Sequence, residues 1–237
     1  MRTLLAFDQP APMRIQDPYG YRAFPQVHGP ALESARYAEA VVAREINAAA
    51  ENPLVDVAGR AVWHNGNFHT AYVGLALDAS RAALFQTMAL SAARLGTLAE
   101  PSFTGLYPFQ AATEASSGIM ILEYVAHSAL ADVRRLATPA ALGSAVLSRG
   151  VEEHAGFSTQ SARATTEALG AYRIGLGCEL VAAVRALRMQ GRAPAGGPLK
   201  AAYDLAAASL DERVDDRPLD SDIAIAADHL PALARLL

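Results

Sequence analysis

The chain has 237 residues, a net charge of −4 and a pI near 5.9; it can hold a substantial apolar core and carries no basic footprint for nucleic acid. Hydrophobic residues make up 52%, but charges such as Glu39, Arg44, Asp78, Arg81, Glu123 and Asp132 interrupt every apolar run, which excludes a membrane span of about 18 residues. The single cysteine, Cys178, excludes an intrachain disulfide and fits a reducing cytoplasm.

The opening "MRTLLAFDQPAP" holds an apolar patch too short for a signal peptide. It leads into "IQDPYGYRAFPQVHGP", residues 15–30, a polar segment punctuated by three prolines. From Leu32 onward helix formers dominate, and strictly alternating β-branched runs are scarce, so the fold class is all-α. A first helix is expected over about residues 31–50, ended by the effect of Pro53 on Asn52. "LVDVAGRAVWH" predicts a short β-hairpin near residues 54–63 turning at Gly59. A long helix follows over about 71–99, with Leu75, Leu84, Met88 and Leu95 among its apolar positions. Two more are expected over about 116–138 and 154–190, a set of lengths that implies a long-helix bundle. "GRAPAGGP" breaks the chain before shorter helices over about 199–209 and 219–237. The expected organisation is one helical domain over 1–237, with an active-site loop segment in 1–30 and the shorter helices in 191–237.

Cys178, within "GLGCELVAA", reads as a core residue. Arg134, Arg135, Arg185 and Arg188 read as solvated helix faces. Long alanine-rich helices have narrow profiles and predict self-association, although on composition alone a GC-rich genome explains the alanine equally well.

Three polar stretches stand at or before expected helix starts, where unpaired N–H groups favour anions: residues 15–30, "HNGNFHT" and "SRGVEEHAGF". Arg22 offers a planar fork for a carboxylate, with Gln16 and Tyr19 nearby; pairing of Arg22 with Asp17 is the alternative. Asn65 and Asn67 suit tight turns flanked by His64 and His69. No metal is expected, because no H-x-x-x-H, cysteine partner or adjacent carboxylate accompanies those histidines. Glu152 and Glu153 either complement a helix dipole or, beside His154, supply a general base.

In order and spacing, "QDPYGYRAFPQVHGP", "EINAAAENPLVDVAGRAVWHNGNFHTAYVGLALD", "GLYPF", "SSGIMI", "EEHAGF" and "DDRPLDSDI" resemble the C-terminal half of the histidine and aromatic amino acid ammonia-lyases. The corresponding family patterns are Q-D-x-Y-S-x-R, N-P-L…G-G-N-F, N-S-G-F-M-I, N-Q-E-D-H and DR-x-x-x-x-DI. The resemblance implies elimination of ammonia from a small amino acid to give a trans-unsaturated acid. In that family the electrophile is a 4-methylidene-imidazol-5-one (MIO) made from Ala-Ser-Gly, and a tyrosine on a mobile loop is the base.

No Ala-Ser-Gly occurs here. Ser116, Ser117 and Gly118 in "EASSGIMI" align with N-S-G-F-M-I and form a decoy. The resemblance implies a split lyase, in which a partner chain corresponding to the N-terminal half carries Ala-Ser-Gly and forms MIO, within a hetero-oligomer built on a tetramer-like core. Met1 and the short lead before Gln16 resemble an independent start. Carried over by motif, Arg22 clamps the substrate carboxylate, Tyr19 and Gln16 position substrate and cofactor, Phe68 lines the pocket, and Glu152 lies near the substrate side chain or amino group. Asn67 and His69 fall in the same pocket motif. Gly20, Tyr21, Asn65, Gly150, Val151 and Glu153 depart from the family pattern and imply an altered substrate or a degenerate site. The substrate stays open between histidine and an aromatic amino acid, as does lyase against aminomutase or a non-catalytic subunit.

Overall fold

Helix-forming composition becomes helix almost throughout the computed structural model, which describes residues 14–143 and 145–236. The opening "MRTLLAFDQPAP", and with it most of the lead before Gln16, lies outside the described residues. A short helix α1 (Tyr19–Arg22) precedes α2 (Phe24–Glu45). Two strands follow, β1 (Leu54–Asp56) and β2 (Ala61–Trp63), then α3 (Ala71–Ala99), α4 (Pro101–Thr104), α5 (Met120–Leu136), α6 (Ser158–Met189), α7 (Gly197–Ser209) and α8 (Asp220–Ala234). No helix among the described residues is long and apolar enough to cross a membrane.

The strands pair antiparallel with Val55 opposite Val62. The Asp56 carboxylate accepts the Gly59 N–H at 2.8 Å, which closes the turn at the expected glycine. Helix α2 begins seven residues before the expected position. Pro25 falls in its first turn, where a missing N–H leaves no bond unmade, and the helix continues through Pro30. Residues 19–30, expected as loop, are therefore largely helical.

The chain divides into two compact units. The first comprises the residues up to Pro25, Thr87–Asp132 and the chain from Gly170; the second comprises Gln26–Gln86 and Val133–Leu169. Helices α3, α5 and α6 each contribute a part to both. In the first unit, Leu95, Ile119, Leu122, Ala126, Cys178, Val181, Ala182, Leu210 and Leu219 form the core. Met88, Ala92, Leu95 and Ala99 recur every three or four residues along α3, as one buried face requires. Small residues let helices approach: a Cβ on Gly177 would stand 2.9 Å from the Ile223 carbonyl of α8, and one on Gly175 would collide with Met88.

The second unit has a smaller apolar core of Ala38, Val41 and Ala76, with Val73 and Leu77 packed on it. Beside it lies a buried polar knot. Arg81, 0% exposed, donates to the Leu136 carbonyl at 2.6 Å, to Ser161 Oγ at 2.8 Å, to Thr165 Oγ1 at 3.0 Å and to Asp78. Asp78 also accepts from Ser161 Oγ at 2.7 Å and the Ala141 N–H at 2.9 Å. Burial pushes the Asp78 carboxyl upward, but these donors and Arg81 outweigh it and hold the group below its ordinary range.

Arg185 and Arg188 are not the solvated face expected of them. Arg185 is buried, donating to the carbonyls of Gln110 at 3.1 Å and Val214 at 2.5 Å; Arg188 donates to those of Asp211, Leu210 and Ala207. Together they satisfy helix-end and loop carbonyls that would otherwise lack donors.

Candidate functional site

The first cluster sits in the first unit, on α1 and the turn before it. Pro18 precedes α1 and supplies the carbonyl that accepts the Tyr21 and Arg22 N–H groups, both at 3.1 Å. Arg22 donates to Gln16 Oε1 and lies over the Tyr19 ring, 4.8 Å from its centroid. The partners of Arg22 are therefore Gln16 and Tyr19, in place of the alternative pairing with Asp17. All three side chains are exposed, Tyr19 at 68%. Gln16 and Arg22 line a cleft of about 1070 Å³ together with Arg94, Thr97, Phe103 and Gln190.

Beneath this exposed trio the support is rigid. Arg94 makes a two-point pair with Glu179, at 2.5 and 2.8 Å, and donates to the Gly20 carbonyl at 3.1 Å. A Cβ on Gly20 would lie 2.9 Å from Arg94 Cγ, so the close approach of α1 to Arg94 accounts for glycine at this departure from the motif. Tyr21, another departure, hydrogen-bonds Thr97 Oγ1 at 2.5 Å, and burial raises its phenol above the ordinary value.

The second and third stretches belong to the second unit. Asn65 donates to the Glu51 carbonyl at 2.9 Å and accepts the Asn67 N–H at 2.9 Å, while its own N–H reaches Asn52 Oδ1 at 3.0 Å. Asn67 Nδ2 reaches the Ala49 carbonyl at 3.3 Å. Asn65 thus staples the loop, which gives this departure a structural reason. Phe68 projects from the stapled loop, more than half exposed.

His69 ties that loop to the third stretch: its Nε2 is 2.9 Å from His154 Nδ1. The Ala71 N–H points at His69 Nδ1 at 3.3 Å, so Nδ1 accepts, Nε2 carries the proton, and His154 accepts at Nδ1. Both His69 nitrogens are engaged within the chain, one with His154 and one with the Ala71 N–H. Thr70 Oγ1 and Ser158 Oγ, 2.6 Å apart, reinforce the junction.

Glu152 sits in a two-residue ladder with Leu147, closed by N–H to carbonyl bonds of 2.8 and 3.3 Å. Between them Ser148, Arg149 and Gly150 take positive φ of 51°, 60° and 88°, a left-handed turn that presents the exposed Glu152 carboxylate. Helix α6 starts only at Ser158 and has no acidic residue in its first turn, so Glu152 and Glu153 do not cap it.

The serine-glycine string is structural. Ser117 and Gly118 donate their N–H groups to the Asp216 carboxylate at 2.8 and 2.9 Å, which lowers that carboxyl from its ordinary value. Among the described residues no group of three or more His, Cys, Asp or Glu is placed to hold a metal ion. Sequence reasoning missed Arg94, Glu179 and His154 as partners of the motifs; for Arg94 and Glu179 the only signal was charge inside otherwise apolar helices.

The long helices carry an exposed Gln-Tyr-Arg cluster in the first unit and an asparagine-stapled Phe loop in the second. Comparison with known proteins identifies the family to which this arrangement belongs. A family profile described as "Aromatic amino acid lyase" matches residues 1–208, and the chain belongs to that family. A histidine ammonia-lyase of Stigmatella aurantiaca is 37% identical over 212 residues, covering 89% of this chain and 42% of the relative. One of Symbiobacterium thermophilum is 34% identical over 230 residues, covering 97% and 44%. Among solved structures, histidine ammonia-lyase from Trypanosoma cruzi superposes with a TM-score of 0.87 at 25% identity, over 93% of this chain and 44% of that one. Pantoea agglomerans phenylalanine aminomutase gives 0.85 at 27%, with the same coverage. The chain spans less than half the length of these relatives.

Proposed function

We propose that this chain is one component of an ammonia-lyase acting on histidine or an aromatic L-amino acid, and that a second polypeptide bearing Ala-Ser-Gly supplies the electrophile and the catalytic tyrosine. The observation that carries this reading is the exposed Arg22, steered by Gln16 and backed by the Tyr19 ring, at the edge of a cleft large enough for an amino acid. Its guanidinium has five donors; with one on Gln16, a free edge remains for a carboxylate.

In the reaction the Cβ–H and Cα–N bonds break, a carbon–carbon double bond forms, and ammonia departs. When present, MIO supplies the electrophile that makes the amino group a competent leaving group. The open cleft lined by Gln16 leaves room for it, and the Gln16 amide with the hydroxyl of the exposed Tyr19 would supply donors to orient it. The residues of this chain bind and orient. Arg22 holds the carboxylate; Phe68 packs against the substrate side chain; Glu152 accepts a hydrogen bond from its amino group or ring. His69 and His154 hold the loops bearing Phe68 and Glu152. Each cluster contributes to reaction chambers shared among subunits of an assembly. The histidine ammonia-lyase relatives and the Glu152-Glu153-His154 string support histidine.

The test is co-expression with a chain of this family that contains Ala-Ser-Gly, followed by ultraviolet detection of the unsaturated acid from L-histidine and L-phenylalanine. Product formation that requires both chains supports the reading, and none with any such complement leaves a non-catalytic subunit. A β-amino acid product would indicate the aminomutase reading, with which the likeness to the Pantoea enzyme is compatible. In the active assembly, Arg22→Ala leaves the carboxylate unpaired and is expected to remove about 2–5 kcal/mol of transition-state stabilisation, roughly 30- to 5000-fold in kcat/KM. An unchanged kcat/KM removes Arg22 from the site.

A further inference from the structure

We propose that Arg94, locked by Glu179 and Ser91, is the positioning residue that sets the grip of Arg22 and Tyr19 through the carbonyl oxygen of Gly20; this rests on the lyase reading. A four-residue helix cannot hold its own geometry in water. Helix α1 is that short, has no side-chain cap, and is preceded by a proline. What orients it must come from elsewhere.

Two bonds do so, and both run to α3. Arg94 Nη1 donates to the Gly20 carbonyl at 3.1 Å. Thr97 Oγ1 donates to the Arg94 carbonyl at 2.7 Å, which leaves it to accept from the Tyr21 hydroxyl at 2.5 Å. The Arg94 fork has no freedom to turn away: Nε and Nη2 each contact a different oxygen of Glu179, and Ser91 Oγ fixes that carboxylate at 2.5 Å. Arg94 is 9% exposed, so these bonds form where water competes weakly. Gly20 completes the device by letting α1 settle onto the Arg94 stem without a Cβ between them. The guanidinium of Arg94 is thus spent on orientation, and that of Arg22 is left for ligand.

In the assembled enzyme with L-histidine as probe, Arg94→Lys keeps the charge but loses the fork. It should raise KM about tenfold or more with a smaller change in kcat, because a loosened α1 weakens carboxylate binding. Ser91→Ala, a milder change, should move KM in the same direction. Loss of kcat at unchanged KM in both variants would mean that Arg94 only supports the fold, and would overturn the proposal. A readout independent of activity separates this result from failure of the lyase reading. By hydrogen exchange on the chain itself, the Tyr21, Arg22 and Ala23 amides should exchange at least about tenfold faster in Arg94→Lys, while those of Val181 and Ala182 in α6 keep their rate. Wild-type exchange at Tyr21 to Ala23 overturns the positioning role even if the enzyme is active; faster exchange in a protein inactive with every complement sinks only the lyase reading. If Arg94→Lys does not fold, the same comparison on Ser91→Ala decides.

Discussion

Cys178 lies fully buried in the core of the first unit, and burial pushes its thiol up to about 12. The thiolate is the reactive form, so the group is inert while the protein is folded. A disulfide reagent at pH 8 should therefore modify the native chain only at its unfolding rate, and modify the denatured chain at once; rapid native labelling would mean that the site opens without unfolding. Its apolar neighbours in sequence revealed this residue, because burial of a small hydrophobe depends on the helix face around it. The arginines were not legible in that way. Arg81 and Arg185 reach carbonyls, and Arg94 a carboxylate, that lie far away in sequence, and periodicity along a single helix carries no trace of such partners. The same holds for His69 and His154, whose pairing joins two motifs that looked independent.

At the scale of elements, the ends of α3 fall at the expected residues, since a polar loop precedes it and Glu100-Pro101 follows. The start of α2 did not, because prolines punctuate loops and first turns alike. What the pattern could not show is how α5 ends. Arg81 of α3 donates to the Leu136 carbonyl in its last turn and Asp78 neutralises the Arg81 charge, so one buried pair caps the end of a helix that is distant in sequence. Replacing Arg81 by Met strands the Asp78 carboxylate and those carbonyls, and should destabilise the fold by about 3–5 kcal/mol in urea denaturation. Because the folded-state carboxyl of Asp78 is held low, its contribution is full above the ordinary carboxylate range and is lost as pH falls through its depressed value. The stability gap between wild type and Asp78→Asn should therefore shrink from pH 7 toward pH 3; a constant gap would assign the effect to packing.

For the molecule as a whole, the chain spans less than half the length of its relatives and displays large apolar side chains to solvent. Trp63, Phe68, Tyr72 and Leu75 in the second unit, and Ile121 and Tyr124 in the first, are each more than half exposed. Such surface is characteristic of faces that a partner covers. Binding of an Ala-Ser-Gly-bearing complement should stabilise the folded chain by mass action, by about 2.7 kcal/mol at a hundredfold excess over Kd, and so raise its unfolding midpoint. Scanning calorimetry of the chain alone and with the complement measures this, and coincident transitions would argue against association. Sequence motifs marked the polar loops because their residue types are specific. They were silent on which surfaces pair, since an exposed tyrosine and a covered one have the same letter.

The left-handed run at residues 148–150 has a consequence for how this chain can vary. Its side chains are exposed, so by accessibility alone they should drift freely, yet the backbone shape there sets where Glu152 stands. β-Branched replacements at Ser148 or Arg149 would reshape the turn while touching no other residue, whereas glycine or asparagine would preserve it. A surface segment can thus be under tight selection for torsion angles while its chemistry is almost unconstrained.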